Sequence, residues 1–314
     1  MAARITVVGS LNMDLVVQMP AIPRPGETLL GGRFATFPGG KGANQAVAAA
    51  RLGACVTLIG RVGADSFGEQ LLHLAQVEGI ETAHVGVDPE NATGVALITV
   101  DAQGQNSISV ASGANFALTA QDVRRAWDQI GKVDLLVMPL ETPLETILTA
   151  AQLAKERQVR VILNPAPAQE LAEDFLKIVD VIVPNERETE YLTGIEISND
   201  EEALNAALSL LARGVGSVVL TLGYRGALVV EGKPNQPIYH HLQAHRVKAV
   251  DTTAAGDAFV GALATGLGEG MSLLEAARFA NAAAALSVTR PGAQPSLPWR
   301  ADVEKFLREE IRSS

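Results

Sequence analysis

Residues 135–163 read Leu135-Leu-Val-Met-Pro139, then an amphipathic helical pattern over Leu144–Arg157, then Arg160-Val-Ile-Leu163. Each short apolar run is typical of a buried strand, so the order predicts a parallel βαβ unit. The same alternation recurs along the chain, and we therefore expect a parallel sheet covered by helices on both faces. The other predicted strands are Ile5–Gly9, Cys55–Gly60, Val181–Pro184 and Ser217–Leu222. The other predicted helices are Ala43–Leu52, Phe67–Glu78, Ala120–Ile130, Glu201–Arg213, Ala254–Leu267, Leu273–Val288 and Glu304–Ile311.

Two segments break this alternation and predict a small second sheet. Met13–Phe37 and Thr93–Val110 each carry two apolar runs around glycine-containing turns, and each is typical of a β-hairpin. Because a few strands cannot bury a face alone, we expect a sheet that caps a cleft, pairs with another subunit, or does both. The predicted α/β domain comprises 1–12, 38–92 and 111–314, and the predicted lid comprises 13–37 and 93–110.

The composition argues against several classes of protein. The chain has 314 residues, with 25 Lys and Arg against 35 Asp and Glu, and a formal net charge of −10. This balance argues against a nucleic-acid partner and against an anionic membrane surface, since both require a cationic face. The single cysteine, Cys55, excludes an intrachain disulfide, and its apolar run predicts a small buried hydrophobe. With no signal-peptide or membrane-span pattern, we expect a soluble cytoplasmic protein.

The most specific motif is Asp251-Thr-Thr-Ala-Ala-Gly-Asp257, which follows the apolar run Val247–Val250. We expect a strand, a turn through small residues, and a helix that begins near Ala254. Amides at a helix N-terminus have no partner within the helix, and the small side chains let an anion approach them. Asp257 would stand beside this anion pocket, where a carboxylate can accept the proton of an attacking hydroxyl. The alternative is that Asp257 only interacts favourably with the helix dipole.

Four further segments place polar residues where predicted strands end or helices begin. They are Gly39-Gly-Lys-Gly-Ala-Asn44, Ser10-Leu-Asn-Met-Asp14, Pro184-Asn-Glu-Arg-Glu188 and Thr221-Leu-Gly-Tyr-Arg-Gly226. Ligands of parallel sheets bind at the carboxyl ends of the strands, so these residues could hold a sugar, a hydrated cation and a nucleotide. By spacing alone, a glycine hinge, a turn or a helix cap explains them equally well.

Together these segments resemble the ribokinase-like, or PfkB, carbohydrate kinase family. Gly39-Gly-Lys-Gly-Ala-Asn-Gln-Ala46 is similar to that family's N-terminal signature, and Asp251–Asp257 to its C-terminal signature. The resemblance covers nearly the whole chain. It implies a ribokinase-like three-layer α/β fold, with a mostly parallel central sheet flanked by helices and a small β-sheet lid. It also implies phosphoryl transfer from ATP to the 5-hydroxyl of D-ribose, with Mg²⁺ and K⁺ as cofactors, and a homodimer through the lid sheets.

The resemblance further implies which residues form the site. Asp257 would be the catalytic base, and the anion hole would use the amides of Ala254, Ala255, Gly256 and Asp257 itself. The sugar would be held by Asn12, Asp14, Gly40, Lys41, Asn44 and Glu141. ATP and Mg²⁺ would be held by Asn185, Glu188, Thr221, Gly223, Gly226, Gly256 and, near the adenine, Asn281. The monovalent cation would be held by Asp251, Thr253, Ser287, Arg290, Gly292 and Ser296.

Two departures from the family pattern and two alternative functions complete the prediction. The family pattern has alanine where this chain has Ser287, and histidine where it has Asn281. The second difference affects only the predicted adenine contact. A related kinase could act on 2-deoxyribose, a nucleoside or another furanose, and Asn12 bears on this choice because a site built for a hydroxyl rejects an analogue without it. A catalytically silent sugar-binding regulator could use the same fold, although Asp257 and Gly256 argue against it.

Overall fold

The computed structural model describes residues 2–313 as two β-sheets, ten α-helices and three short 3₁₀ helices. The strands are β1 (Arg4–Val8), β2 (Asn12–Gln18), β3 (Arg33–Gly39), β4 (Cys55–Gly63), β5 (Val85–Asp88), β6 (Gly94–Val100), β7 (Asn106–Ala111), β8 (Leu135–Met138), β9 (Arg160–Leu163), β10 (Val181–Ile182), β11 (Val218–Thr221), β12 (Ala227–Lys233) and β13 (Gln236–Leu242). The helices are α1 (Lys41–Arg51), α2 (Ser66–Val77), α3 (Ala120–Gln129), α4 (Leu144–Glu156), α5 (Glu173–Leu176), α6 (Glu186–Thr193), α7 (Asp200–Ala212), α8 (Ala255–Gly268), α9 (Leu273–Ser287) and α10 (Arg300–Ser313).

The main sheet has nine strands in the order β13-β12-β11-β10-β9-β8-β1-β4-β5. Neighbouring strands from β11 to β5 are parallel, and β12 and β13 add an antiparallel hairpin at one edge. The βαβ unit predicted from residues 135–163 is confirmed, because β8 and β9 pair in parallel with Leu135 opposite Arg160. The carboxyl ends of the parallel strands therefore meet along one edge of the sheet.

Side chains from the two faces of the main sheet contribute to separate cores. Ile5 and Val7 of β1 pack with α1, α2, α8, α9 and α10, whereas Val8 packs on the other face with α3, α4 and α7. Helices on both faces explain why the strands are apolar throughout their length rather than alternating. The three-layer α/β class expected from the sequence is confirmed.

The two predicted hairpins combine into the second sheet, whose strand order is β3-β2-β6-β7. β2 pairs antiparallel with β3 and parallel with β6, and β6 pairs antiparallel with β7. Asn12 opens β2 only four residues after β1 ends at Val8, and it pairs with both Gly39 and Gly94. The chain thus passes directly from the main sheet into the small sheet.

Two local expectations from the sequence are wrong. Val247–Val250 forms no strand; instead the amides of Val250 and Asp251 donate to the carbonyl oxygen of Val288 at 2.7 and 3.2 Å. A β-branched segment forms a strand only where a neighbouring strand supplies its backbone hydrogen-bond partners. Here the carbonyl oxygen of Val288, at the end of α9, is the partner instead. Cys55 is exposed rather than buried, because it is the first residue of β4 and precedes the buried part of the strand.

Hydropathy along the helices bears on membrane association. No helix within residues 2–313 combines the length and the apolar character needed to cross a bilayer.

Candidate active site

Most of the polar residues singled out by sequence lie along the carboxyl edge of the main sheet. Ser10 follows β1, Glu141 follows β8, Asn185 follows β10, and Thr221 ends β11. Residues distant in sequence meet there because the parallel strands run in the same direction. The site therefore lies where the topology of the sheet predicts it.

Asp257 lies buried in the first turn of α8, against the first turn of α1. Its Oδ2 accepts a hydrogen bond from Asn44 Nδ2 and its Oδ1 accepts one from Gln45 Nε2, both at 3.0 Å. The residue is 5% exposed. Each carboxylate oxygen keeps further acceptor capacity beyond these bonds. The geometry allows Asp257 to accept a proton from a bound hydroxyl.

Lys41 stands among carboxylates. Burial lowers the pKa of its ammonium group, but the charges of Asp257, Glu141 and Glu188 outweigh burial and raise that pKa overall. Burial raises the pKa of Glu188, against the hydrogen bond from the Asn185 amide and the charge of Lys41. Lys41 is therefore charged at neutral pH and supplies the positive charge at the centre of an acidic site.

Glu141 ties the segment after β1 to the start of α1. Its Oε2 accepts from Ser10 Oγ at 2.5 Å and from the Lys41 amide at 3.0 Å. Gly40, which directly precedes α1, has a φ of +86°, and a Cβ there would lie 2.7 Å from the amide nitrogen of Asn12. The turn requires glycine both for its backbone conformation and for this close approach.

Asn12 presents a hydrogen-bond donor to the site. Its Oδ1 accepts from Asn115 Nδ2 at 2.7 Å, and Asn115 is itself fixed by bonds to the backbone of Leu11. Within residues 2–313 no hydrogen bond is formed by Asn12 Nδ2. The Asn12 amide is thereby oriented with its NH₂ group available to a ligand.

Asp14 is buried on β2 beside Gly39, where a Cβ would lie 2.5 Å from Asp14 Oδ1. Burial is the largest cause that raises the pKa of Asp14 to about 7, and the charges of Glu141 and Asp257 add to it. The missing side chain at Gly39 therefore makes room for a carboxyl group that titrates near neutral pH.

We expect Asp14→Asn to stabilise the ligand-free protein at pH 8. Because the pKa of Asp14 is about 7 in the folded state against an ordinary value of 3.8, the folded state binds more protons than the unfolded state between these two pH values. Wild-type stability therefore falls as pH rises through this window. The free energy of unfolding of Asp14→Asn should exceed that of the wild type by about 1–4 kcal/mol at pH 8, with the gain lost towards pH 4.

Denaturant unfolding of both proteins between pH 4 and pH 8 tests this expectation. Asp128→Asn is a matched control, because the Asp128 side chain is 81% exposed. An Asp14→Asn stability difference that does not depend on pH would contradict the expectation.

A cleft of about 1120 Å³ opens at the N-terminus of α8. Glu188 does not line this cleft. Its carboxylate accepts hydrogen bonds from the backbone amide and the side-chain Nδ2 of Asn185, at 2.9 and 2.8 Å. These bonds form a cap at the start of α6, which is the alternative that the sequence left open for this motif. Asn281 lines the cleft but donates from Nδ2 to the Gln243 carbonyl oxygen at 2.8 Å. Six of the seven predicted nucleotide-binding residues line the cleft, namely Asn185, Thr221, Gly223, Gly226, Gly256 and Asn281.

Gly256 leaves the wall of the cleft open where α8 begins. A Cβ at this position would meet no atom within 4 Å, so packing does not require glycine. Ala254, with a φ of +60°, turns the chain into the helix. Within the described chain the amides of Gly256 and Asp257 reach no backbone carbonyl, whereas the Ala255 amide donates to Thr252 at 3.2 Å. The amides of Gly256 and Asp257 are therefore free to bind an anion. The Ala255 amide, which was expected to join them, already donates to Thr252.

Part of the predicted cation site is assembled around Asp251. Its Oδ1 accepts from the amide and hydroxyl of Thr253 at 2.9 and 2.6 Å, and its Oδ2 accepts from the Gly292 amide at 2.8 Å. Burial raises the pKa of Asp251, but these hydrogen bonds together lower it. The ionised carboxylate thus joins the segment before α8 to the segment after α9.

The side chains of the remaining three predicted cation ligands have other partners. Ser287 and Ser296 each donate to the carbonyl oxygen three residues earlier, both at 2.8 Å. Arg290 pairs with Asp302 at 3.2 Å. Arg290 can therefore offer only its backbone oxygen to a cation, whereas Ser287 and Ser296 keep acceptor capacity on their hydroxyl oxygens as well as on their backbone oxygens.

Sequence reasoning missed three amide side chains in the site. Gln45 donates to Asn164 Oδ1 at 3.0 Å as well as to Asp257, and Asn115 orients Asn12. Asn164 directly follows a predicted strand, so the rule that ligands bind at strand ends could have found it. Gln45 is a long polar residue in the alanine-rich helix α1, and this pattern indicates a site residue less specifically than a position at a strand end does.

Comparisons with known proteins extend over the whole chain. The family model for pfkB family carbohydrate kinases matches residues 2–300. A ribokinase of Haemophilus influenzae is 46% identical over 98% of this chain and 99% of its own length. A deoxyribokinase of Salmonella typhi is 39% identical over 96% of this chain and 97% of its own. The solved ribokinase of Arabidopsis thaliana complexed with ribose and ATP is 32% identical, with a TM-score of 0.87 and coverage of 98% and 99% of the two chains. This chain belongs to the pfkB family of carbohydrate kinases.

Proposed function

We propose that this kinase transfers the γ-phosphoryl group of ATP to the 5-hydroxyl of D-ribose, which yields ribose 5-phosphate and ADP. The observation that carries the proposal is the buried Asp257 carboxylate beside the free amides of α8, where the neighbouring Gly256 lines a cleft large enough for a nucleotide. ATP consumption with ribose, with 2-deoxyribose and without sugar tests it. Ribose should give the highest rate, and ATP consumption that is independent of sugar would contradict a sugar kinase.

Asp257 acts as the general base in this proposal. The 5-oxygen of ribose forms a bond to the γ-phosphorus, its proton passes to Asp257, and the bond between the γ-phosphorus and the ADP oxygen breaks. The amides of Gly256 and Asp257 lie at the positive end of α8, where they stabilise charge on the transferred group. Lys41 adds a positive charge on the sugar side of the site.

The sugar lies, in this proposal, among donors and acceptors from both sheets. Asn44 Oδ1 is buried without a hydrogen-bond partner within the described chain, so it lacks a donor that a sugar hydroxyl could supply. Asn12 Nδ2 offers the complementary donor. The proposed sugar-binding residues are Asn12, Asp14, Gly40, Lys41, Asn44 and Glu141.

The nucleotide and Mg²⁺ occupy the cleft beside the α8 amides. No group of three or more His, Cys, Asp or Glu residues between residues 2 and 313 could hold a metal ion by itself. This fits Mg²⁺, which keeps most of its waters and binds through phosphate oxygens and few carboxylates. Asn185 would hold those waters from the wall of the cleft, with Glu188 behind it as its hydrogen-bond partner, and the ion would supply charge neutralisation to the phosphates.

We also propose a K⁺ site around Asp251 and Thr253, completed by backbone oxygens near Ser287, Arg290, Gly292 and Ser296. Oxygen donors around one ionised carboxylate suit a hard monovalent cation. The bond from the Gly292 amide to Asp251 couples this site to the turn that precedes the α8 amides. The ion would thereby order the start of the anion-binding helix.

K⁺ is expected to raise activity well above the rates in Na⁺ or Li⁺. The expected ordering follows from the larger radius of K⁺, which suits a site built partly from fixed backbone oxygens. Initial rates in the three chloride salts at matched ionic strength measure it, with Asp251→Asn as the comparison. Equal rates in all three salts would contradict the proposed K⁺ site.

The small sheet is proposed to be the lid of the site and the surface of a homodimer. Its segments are those predicted, 13–37 and 93–110, against 1–12, 38–92 and 111–314 for the α/β domain. Phe34, Leu97, Ile108 and Val110 expose between 51% and 65% of their surface on this sheet. A second copy would cover these apolar side chains. A monomer in light scattering at working concentration would contradict the dimer.

We further propose a cytoplasmic location, without a nucleic-acid or membrane partner. The formal net charge of −10 disfavours both polyanions and anionic lipid surfaces. A chain with a single cysteine fits a reducing compartment.

The second candidate substrate is 2-deoxyribose, and the similarity of this chain to a deoxyribokinase supports it. The free Nδ2 of Asn12 favours ribose instead, because it needs an acceptor once water is excluded. The comparison of the two sugars in the activity assay decides between them.

A further inference from the structure

A chain of amide side chains ends on the Asp257 carboxylate. Asn164 Nδ2 donates to the Val183 carbonyl oxygen at 2.9 Å, and Asn164 Oδ1 accepts from Gln45 Nε2 at 3.0 Å. The same Gln45 nitrogen donates to Asp257 Oδ1 at 3.0 Å. Both hydrogens of the Gln45 amide therefore have acceptors, and one of these acceptors is the candidate base.

The orientation of Gln45 is determined by its neighbours. Because Asn164 uses its NH₂ group on the Val183 carbonyl, only its oxygen faces Gln45, and Gln45 must present its own NH₂ group. Gln45 is fully buried. Gly261 lets α8 approach α1 closely, since a Cβ there would lie 2.8 Å from the Gln45 carbonyl oxygen. The amide therefore has one permitted orientation in a closely packed interface.

The presence of an amide at this position needs an explanation beyond packing. Gln45 Oε1 is buried without a hydrogen-bond partner among the described residues, and such an acceptor costs stability. An apolar side chain of similar volume would fill the space without that cost. Asn44, the other donor to Asp257, has no comparable anchor, because its Oδ1 is also unpartnered. Within residues 2–313, Gln45 alone links the carboxylate to an anchored side chain, that of Asn164, which directly follows β9 of the main sheet.

We propose that Gln45, anchored by Asn164, is a positioning residue that holds the Asp257 carboxylate in the orientation required to accept the proton of the sugar hydroxyl. The inference rests on the proposed role of Asp257 as the base. Gln45 itself is not required to touch the sugar or the nucleotide. Its loss should therefore change the rate of the chemical step more than the binding of either substrate.

Gln45→Met removes the donor and conserves the volume. We expect kcat to fall about 10- to 100-fold, as a misplaced catalytic group does, while KM for ribose changes less than about threefold. Gln76→Met is the matched control: Gln76 is exposed on α2, its Nε2 donates to Thr82, and its substitution should leave both constants unchanged. An unchanged kcat in folded Gln45→Met overturns the inference.

The double variant with Asp257→Asn separates positioning from general damage. Without the carboxylate, Gln45→Met should lower the residual kcat by less than about threefold, because effects that act through one residue are not additive. An equal loss of kcat in both backgrounds would show a structural role and overturn the inference. Wild-type turnover in Asp257→Asn alone would instead overturn the base assignment.

Asn164→Leu provides a second variant that leaves both donors of Asp257 in place. It removes the anchor of Gln45, and we expect a smaller fall in kcat with ribose affinity, measured by calorimetry, unchanged. If Gln45→Met does not fold, this variant decides the question: an unchanged kcat in Asn164→Leu overturns the inference.

Discussion

Asp257→Asn is expected to lose about 10²- to 10⁴-fold in turnover, the usual contribution of a general base. An amide keeps the shape of the carboxylate and can still hydrogen-bond the sugar, but it cannot accept the proton. Ribose affinity should therefore remain largely intact. Initial rates with saturating ribose and ATP, together with calorimetric binding of ribose, measure the two effects separately.

The variant should fold because its surroundings can accommodate an amide. Gln45 keeps donating to the oxygen at position 257, which places the new NH₂ group against Asn44 Nδ2. Asn44 can rotate its amide and present Oδ1, which is buried and unpartnered within the described chain. Asp128→Asn, an exposed substitution of the same kind, controls for nonspecific effects. If Asp257→Asn turns over at the wild-type rate, the Asp257 carboxylate has no catalytic role, and the helix-dipole alternative replaces the base assignment.

The ratio of catalytic efficiencies for ribose and 2-deoxyribose should be about 5- to 150-fold in favour of ribose. Asn12 Nδ2 has no hydrogen-bond partner among the described residues, and the bond from Asn115 to Asn12 Oδ1 fixes the orientation of this amide. We place the 2-hydroxyl of ribose against that donor. An unpaired buried donor costs ~1–3 kcal/mol, which corresponds to the stated ratio at about 1.36 kcal/mol per decade.

Asn12→Met should narrow this ratio, because a thioether does not require the missing hydroxyl. Asn115 keeps its bonds to both backbone groups of Leu11, so its orientation should survive the substitution. Asn91→Met, at an asparagine whose Nδ2 donates to Asp88, is the matched control and should leave the ratio unchanged. A wild type that prefers 2-deoxyribose, or an unchanged ratio in Asn12→Met, shows that Asn12 does not read the 2-hydroxyl.

Local patterns predicted the layers of the fold well. The run Leu135–Pro139 and its partner Arg160–Leu163 form neighbouring parallel strands, as their apolar character indicated. The same reasoning failed at Val247–Val250, where the residues favour a strand but the end of α9 supplies the backbone partner. Strand propensity is realised only where a neighbouring strand is present, and propensity alone does not report on neighbours.

For the site, motif spacing and family resemblance predicted Asp257 as the base and named six residues that line the cleft at the start of α8. They also placed Ala255 among the free amides, which the bond to Thr252 contradicts. The pKa of Asp14 could not be foreseen, because it depends on burial and on the charges of Glu141 and Asp257. These charges come from other elements of the fold.

The sequence by itself determined the α/β class, the family and the identity of the candidate base, because strand and helix periodicities and short motifs are properties of adjacent residues. Only the tertiary structure decided which groups touch that base. Gln45 and Asp257 are 212 positions apart, and their contact depends on the close packing of α1 against α8 at Gly261. The orientation of Asn12 likewise depends on Asn115, which is 103 positions away. Hydrogen bonds of this kind form between side chains that the packing of the sheet and its helices brings together, and no local pattern encodes that packing.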